Sequence, residues 1–233
     1  MRRFARSVHK DIVLQYRGGF YVVGAAVALF YIGILSQVPE SWPLNLPLLI
    51  PLLLIVNVLI TTFYFVAALV LFERAEGTLA ATAVSPLRVR EYLGAKVVSL
   101  AILAITENAA VVVFFYGTDF NGVTLAAGLI SLCGFYTLTG FGAISRFDSI
   151  NSFLIPSSVV ITILLVPPMV FHFRADPTGM IYLHPLQPYL SLVTAAFLPR
   201  PPAETFYGVI AGALWLAVAY GGARRAYGRL IAR

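Results

Sequence analysis

The sequence predicts an all-α integral membrane protein with six transmembrane helices. Hydrophobic residues make up 60% of its 233 residues and charged residues 11%, and its mean hydropathy is +0.88. Soluble domains are about half apolar and about a quarter charged, so this composition excludes an ordinary soluble protein. The charged residues are also bunched, which leaves several windows of the about 20 apolar residues that a helix needs to cross a bilayer.

Residues 1–19 predict a basic, amphipathic helix that lies in the plane of the membrane surface. Plotted at helical spacing, the apolar third of the wheel comprises Phe4, Ala5, Val8, Ile12 and Tyr16. The opposite side gathers five cations, namely Arg2, Arg3, Arg6, Lys10 and Arg17. Asp11, Val13 and Leu14 do not follow this division. A positively charged anchor that only sets the topology explains the same residues equally well.

Six apolar runs predict the transmembrane helices at residues 20–36, 47–72, 95–116, 122–144, 152–173 and 206–223. An even number of spans places both termini on one side of the membrane. That side carries 14 of the 16 Lys and Arg residues, and only Arg174 and Arg200 fall on the other. Because basic loops remain in the cytoplasm, we expect both termini there.

The segment 73–91, between the second and third spans, is longer and more charged than a simple connection requires. Two carboxylates, Glu73 and Glu76, stand about one helical turn apart at the end of the second span. Gly77 permits the backbone to turn along the membrane surface, and Thr78 is suited to cap a short helix that follows. The alternative interpretation is that these charges merely pair at a wet interface, where each pair contributes little.

Several positions in this segment carry a resemblance to a known family. The pattern Glu-x-x-Glu-Gly-Thr-Leu at 73–79, the Ser-Pro at 85–86 and the Gly-x-Lys at 94–96 resemble the type-2 family of ABC-transporter membrane subunits. In that family, the segment after the second span is the coupling element that docks on the ATPase. The resemblance implies this coupling role for Glu73, Glu76, Gly77, Thr78, Leu79, Ser85 and Pro86.

The segment 176–202, between the fifth and sixth spans, predicts a short re-entrant helix on the outer face. Its apolar run at 189–198 is too short to cross a bilayer. Pro185 and Pro188 suit the start of a helix, and Pro199 ends it. An external element also occupies this place in the type-2 family, so the resemblance and the local pattern agree.

The loop at 146–151, together with Phe-Leu-Ile-Pro at 153–156, is similar to the small half-permeases for fluoroquinolone export. This resemblance implies a bacterial plasma-membrane exporter of drug-like or lipid-like amphipathic substrates. Two permease subunits, identical or homologous, would assemble with two copies of an ATPase subunit, because one chain with six spans forms only half of a pathway. The alternative is the haem-handling permease subunit of the cytochrome c maturation machinery, which has a similar size and order of elements.

Catalytic motifs are missing from the sequence. Nothing fits the phosphate-binding pattern G-x-x-x-x-G-K-[ST], so we expect ATP and Mg²⁺ to bind to the partner subunit and this chain to hold no cofactor. No H-E-x-x-H pair is present, and His172 and His184 make only a weak metal-site hypothesis. These observations predict a permease subunit rather than an enzyme.

Glu107 is the one acidic residue deep inside a predicted span. It follows Lys96 by eleven residues, or about 16 Å of helix, which places it near the middle of the bilayer. A carboxyl at that depth is costly and marks a functional candidate. We therefore expect a substrate pathway that includes Glu107, Asn108, Asn57, Thr61 and Tyr64. An interhelical hydrogen bond to Asn57, Thr61 or Thr62 is an equally good explanation.

Overall fold

The computed structural model describes residues 2–38, 46–83, 87–173 and 178–231. Within these ranges the secondary structure is helical, as the sequence predicts. The α-helices are α1 (Arg2–Arg17), α2 (Phe20–Leu35), α3 (Leu46–Val58), α4 (Phe65–Ala75), α5 (Thr78–Ala83), α6 (Val89–Tyr116), α7 (Gly122–Ile144), α8 (Ile150–Phe173), α9 (Gln187–Ala195) and α10 (Pro202–Ile231). A π-helical segment (Leu59–Tyr64) joins α3 to α4, and a 3-10 turn (Met180–Leu183) precedes α9.

Among the described residues, five helices are long and apolar enough to cross a membrane. They are Leu46–Ala75, Val89–Tyr116, Gly122–Ile144, Ile150–Phe173 and Pro202–Leu230. The first predicted span, residues 20–36, corresponds to α2, which has 16 residues, about 24 Å of helix against a hydrocarbon core of about 30 Å. Helix α2 is long enough to cross a membrane only if α1, from which it is bent by 67°, is counted as part of the same span. The predicted all-α membrane fold is confirmed, with five spans or six if the bent pair counts as one.

Several helices extend beyond the predicted spans because charged residues continue inside them; α10, for example, covers Pro202–Ile231, where residues 206–223 were predicted. The second span extends to Ala75 and the third begins at Val89, several residues beyond the apolar runs that predicted them. The Glu91 carboxylate accepts a hydrogen bond from the Arg88 backbone N–H at 2.8 Å and so caps the start of α6. Apolar run length therefore underestimates these helices.

Helix α7 lies at the centre of the bundle, where it packs against α6, α9, α10 and the π-helical segment. Gly140 permits the closest of these approaches, since a Cβ there would lie 2.7 Å from the Phe63 carbonyl oxygen. In an 18-residue apolar stretch of Leu46–Ala75, 67% is buried, whereas in the corresponding stretches of α8 and α10 only 17% and 22% is buried. Helices α8 and α10 therefore expose most of their apolar surface to lipid or to another subunit.

Helix α1 and the end of α10 lie at the same end of the bundle. Helix α1 packs along the first half of α6, and the Tyr92 ring of α6 lies 5.1 Å from the Tyr227 ring near the end of α10. We call this region, formed by α1, α5, the start of α6 and the end of α10, the terminal end. The opposite region, formed by the 3-10 turn, α9 and the start of α10, is the distal end.

The short helix predicted between the fifth and sixth spans is α9, with Pro188 in its first turn. It ends at Ala195, three residues before the predicted apolar run does. The Tyr189 hydroxyl donates to the Gly212 carbonyl oxygen of α10 at 2.9 Å. Gly208 of α10 packs against Leu192, so α9 is held inside the subunit.

Candidate functional site

The coupling segment forms a tight turn and a short helix, as its sequence predicts. Helix α4 ends at Ala75, and Gly77 adopts a left-handed φ of 69° that few other residues tolerate. Helix α5 then begins at Thr78. The role of Thr78 differs from the prediction, because its hydroxyl donates back to the Glu73 carbonyl oxygen at 3.2 Å. The turn at Gly77 brings Thr78 back beneath the end of α4, so this side chain ties α5 to the second span.

The residues of the predicted coupling site differ in exposure. Glu76 and Gly77 are exposed at the terminal end, Thr78 is half-buried, and Leu79 is buried as an anchor. Ser85 and Pro86 lie outside the described residues. Within the described residues, Glu76 and the Gly77 backbone are the parts of this set that a soluble partner can reach.

Glu73 has surroundings that the sequence analysis did not anticipate. It is 1% exposed, and its carboxylate forms ion pairs with Lys96 at 3.1 Å and Lys10 at 3.0 Å. The Tyr92 hydroxyl donates to the same carboxylate at 2.7 Å. Glu73 therefore joins α1, α4 and α6 inside this subunit, and its side chain does not face a partner.

Helix α1 packs against α6 through buried polar residues, one of which, Asp11, did not follow the amphipathic pattern. Asp11 is buried and accepts from the Lys96 ammonium at 2.8 Å, and the Gln15 amide donates to Ser99 at 3.0 Å. Burial raises the pKa of the Asp11 carboxyl, and the neighbouring Lys96 charge acts against that rise. Two of the three exceptions to the amphipathic pattern, Asp11 and Leu14, thus lie on the buried face of α1, whereas Val13 is exposed. We call Lys10, Asp11, Glu73, Tyr92 and Lys96 the ion-pair cluster.

The predicted pathway residues are only partly brought together. Glu107 is 5% exposed, and the Thr61 hydroxyl lies 2.8 Å from its Oε2 and 2.9 Å from the Asn57 carbonyl oxygen. Its other oxygen has no hydrogen-bond partner among the described residues and packs against Gly24 of α2, where a methyl group would overlap it. The interhelical hydrogen bond weighed from the sequence is therefore present, between Thr61 and Glu107.

The remaining pathway candidates occupy separate surroundings. Asn57 and Asn108 are buried, and the Asn108 amide donates to the Ala104 carbonyl oxygen of its own helix at 2.6 Å. Tyr64 packs edge-on against the Phe153 ring of α8, 6.2 Å between centroids. The π-helical segment that holds Thr61 was not predicted. Such segments often occur at functional sites because the extra residue changes the direction in which side chains point.

The two histidines weighed as metal ligands bind backbone oxygens. His172 Nε2 lies 3.0 Å from the Leu48 carbonyl oxygen and His184 Nε2 3.2 Å from that of Ile163. Pro167 has no N–H to donate to Ile163, so the His184 ring replaces the missing helical donor. Within the described residues, no group of three side chains is placed to hold a metal ion.

Comparison with known proteins assigns the family. The model of the fluoroquinolones export permease protein family matches residues 2–233. The chain belongs to this family. Two relatives, each named fluoroquinolones export permease protein, come from Mycobacterium tuberculosis strains CDC 1551 / Oshkosh and ATCC 25618 / H37Rv. Each is 27% identical to this chain over 212 residues, which cover 90% of this chain and 88% of the relative.

Membership of the fluoroquinolones export permease family confirms the recognition made from the sequence. It agrees with the several long apolar helices, and together they show a multi-pass membrane protein. A permease family also places the chain among transporter subunits rather than enzymes.

Proposed function

We propose that this chain is the membrane-spanning subunit of an ATP-driven exporter and forms half of its translocation pathway. The observation that carries this proposal is the permease-family match along residues 2–233. Because the family is named for export, the match favours export over the haem-handling alternative. ATP and Mg²⁺ would bind to two copies of a separate ATPase subunit.

The coupling surface of this proposal is the exposed turn at the terminal end. Glu76 and Gly77 are exposed, whereas Leu79 is buried and Thr78 is hydrogen-bonded to the end of α4. A turn that is reachable yet fixed to a span suits the transmission of force from a soluble subunit. Glu73 contributes by holding the end of α4 in the ion-pair cluster, and Ser85-Pro86 completes the segment in sequence.

The second permease subunit, identical or homologous, would pack on one of the exposed apolar faces. Helices α8 and α10 offer the least buried windows of the described spans. The terminal end would face the cytoplasm of a bacterial inner membrane, since 14 of the 16 Lys and Arg residues fall on the predicted terminal side.

The substrates would be drug-like or lipid-like amphipathic compounds, with fluoroquinolones as first candidates because the relatives are named for their export. Glu107 and Thr61, with Asn57, Asn108 and Tyr64 as further candidates, would contribute polar groups to the pathway at mid-membrane depth. Their burial within a single subunit means that Glu107 would become accessible only when α2 moves away from α6, because Gly24 packs against its carboxylate.

A transport assay tests both the export function and the coupling surface. The chain is co-expressed with its ATPase subunit, and ATP-dependent norfloxacin accumulation is measured in inverted membrane vesicles. Glu76→Lys and Gly77→Val should abolish accumulation while membrane insertion remains intact, because they change the exposed turn outside the apolar core. Asp119→Lys, a matched charge reversal at an exposed distal residue, should accumulate norfloxacin as the wild type does.

Failure of transport and failure of coupling give different results in this assay. If the wild type shows no ATP-dependent accumulation of any amphipathic probe, export is the wrong function. If Glu76→Lys and Gly77→Val bind the ATPase and transport at the wild-type rate, the segment is a simple loop and coupling occurs elsewhere.

A further inference from the structure

A pocket opens at the distal end, away from the ion-pair cluster and from Glu107. It lies between the end of α8, the 3-10 turn, α9 and the start of α10, and its volume is about 390 Å³. Ligand pockets in proteins range from about 300 to 1,000 Å³, so this one can hold a small molecule. The Tyr207 hydroxyl donates to the Tyr182 carbonyl oxygen at 2.7 Å and so fixes the 3-10 turn against α10.

Among the described residues that line the pocket, one cation and one anion lie side by side. Arg200, just before α10, and Glu204, in its first turn, both line the pocket, with Nη1 and Oε2 separated by 3.8 Å. Both side chains are partly exposed, and such a pair contributes at most about 1 kcal/mol. A ligand that carries its own carboxylate and ammonium group can therefore replace this weak pair with two charge-assisted contacts.

Two buried polar atoms in the wall have no hydrogen-bond partner within the described part of the chain. Thr194 lines the pocket and is 3% exposed, and its hydroxyl oxygen has no hydrogen-bond partner among the described residues. The Oε1 atom of Gln187, another lining residue, is also buried and has none. Leaving a buried polar atom unpaired costs about 1–3 kcal/mol. A bound molecule with polar substituents would recover part of this cost.

Aromatic side chains complete the wall. Phe171 and Phe173, at the end of α8, and Tyr182 of the 3-10 turn line the pocket and remain partly exposed. Their rings offer faces and edges on which a planar aromatic ligand can stack. The combination of aromatic walls, paired opposite charges and unpartnered polar atoms favours a planar, zwitterionic molecule over a purely apolar one.

We propose that this distal pocket is a binding site for planar aromatic compounds that carry both a carboxylate and an amine. Arg200 binds the carboxylate, Glu204 binds the ammonium group, and Thr194 binds a polar substituent of the ring system. The inference rests on the proposed export function, because a site at the end opposite the coupling surface is where an exported compound would leave. Norfloxacin, a fluoroquinolone with both charged groups, is the probe.

Equilibrium binding to the purified permease in nanodiscs of phosphatidylglycerol tests the site through norfloxacin's own fluorescence. Arg200→Gln, Glu204→Gln and Thr194→Val should each weaken binding about tenfold, as expected for the loss of one hydrogen bond or charge contact. Arg224→Gln, which changes an exposed arginine of α10 at the terminal end, should bind as the wild type does. If none of the three pocket variants weakens binding, the site is elsewhere.

Modified probes identify which charge meets which residue. Norfloxacin methyl ester lacks the carboxylate, so its affinity should not respond to Arg200→Gln. The N-acetyl derivative lacks the ammonium group and should not respond to Glu204→Gln. Loss of affinity that is equal for all three probes in both variants would indicate a general disturbance of the fold and would overturn the assignment.

Lipid competition separates a substrate from a zwitterionic headgroup. Replacing half of the phosphatidylglycerol by phosphatidylethanolamine should leave norfloxacin affinity unchanged, and weaker binding there would identify a lipid site instead.

The vesicle transport assay is independent of these measurements. If the pocket variants weaken neither norfloxacin binding nor ATP-dependent transport, this inference is wrong and the export function still holds. The predicted binding losses without transport would support the pocket and contradict export.

Discussion

Lys96 is the residue whose replacement should most weaken the terminal end. It is 1% exposed, and its ammonium lies 2.8 Å from Asp11 and 3.1 Å from Glu73. Lys96→Met keeps most of the aliphatic stem but removes the charge. Glu73 would retain Lys10 and Tyr92, whereas Asp11 would lose the ion pair that holds it.

The magnitude follows from the burial of both partners. Breaking a buried ion pair by removing one member costs about 3–5 kcal/mol, because the other charge remains desolvated and uncompensated. Asp11→Asn should cost less than Lys96→Met, since Lys96 would still pair with Glu73. Asp11→Asn combined with Lys96→Met should be at least about 1 kcal/mol more stable than Lys96→Met alone, because the stranded carboxylate is gone.

Thermal unfolding in detergent measures these differences. Cys133 is the protein's one cysteine and is buried, so a thiol-reactive dye reports its exposure. At about 2–4 °C per kcal/mol, Lys96→Met should lower the melting temperature by about 6–20 °C. Asp148→Asn is the control, because its 2.9 Å pair with Arg74 involves a carboxylate that is 83% exposed. A Lys96→Met effect no larger than that of the control would refute the reasoning.

Three further outcomes are expected. Gly24→Ala should destabilise the protein by about 1–3 kcal/mol in the same unfolding assay, because the added methyl group would overlap the Glu107 carboxylate. Glu107→Gln should lower efflux of cationic substrates with little change in melting temperature, whereas Glu107→Leu should lower both efflux and melting temperature. If Glu107→Gln leaves efflux unchanged, Glu107 is not part of the pathway. With Cys133 replaced by serine, Thr178→Cys should react with impermeant maleimide in whole cells and Thr82→Cys should not, and the reverse labelling would invert the proposed topology.

The parts of the fold that the sequence predicted correctly depend on local chemistry. Apolar run length located the five long spans, because each helix must cover the hydrocarbon core with its own side chains. The turn at Gly77 and the helix start at Pro188 were also predictable from single residues. Glycine tolerates the positive φ of the turn, and proline restricts φ to a value that suits the first turn of a helix.

The parts that were missed depend on contacts between residues far apart in sequence. Glu73 and Glu76 read alike in the coupling motif, yet one is buried and the other exposed. Glu73 is buried because it pairs with Lys96, 23 positions later, and with Lys10 of α1. No local sequence pattern predicts that α1 packs against α6. The one available signal of this burial was Lys96 inside the predicted span 95–116, since a buried lysine needs a counter-ion.

The π-helical segment was missed for a different reason. Its composition, with Thr61 and Thr62 between apolar residues, resembles the α-helices on either side, and no proline or glycine marks it. Its wider turn nevertheless determines where Thr61 points. The hydrogen bond to Glu107 was therefore foreseen as one of three candidate partners, and only the structure distinguishes among them.

The ion-pair cluster also affects how movement of α5 would reach the rest of the subunit. Thr78 is hydrogen-bonded to the Glu73 carbonyl oxygen, and the Glu73 carboxylate is paired with Lys96. A partner that displaced α5 would therefore act on α4, α6 and α1 together and not on a free loop. For this reason Lys96→Met should reduce transport per ATP hydrolysed even below its melting temperature, whereas Asp148→Asn should not. Normal coupling in folded Lys96→Met would mean that force from α5 passes through the helical backbone alone.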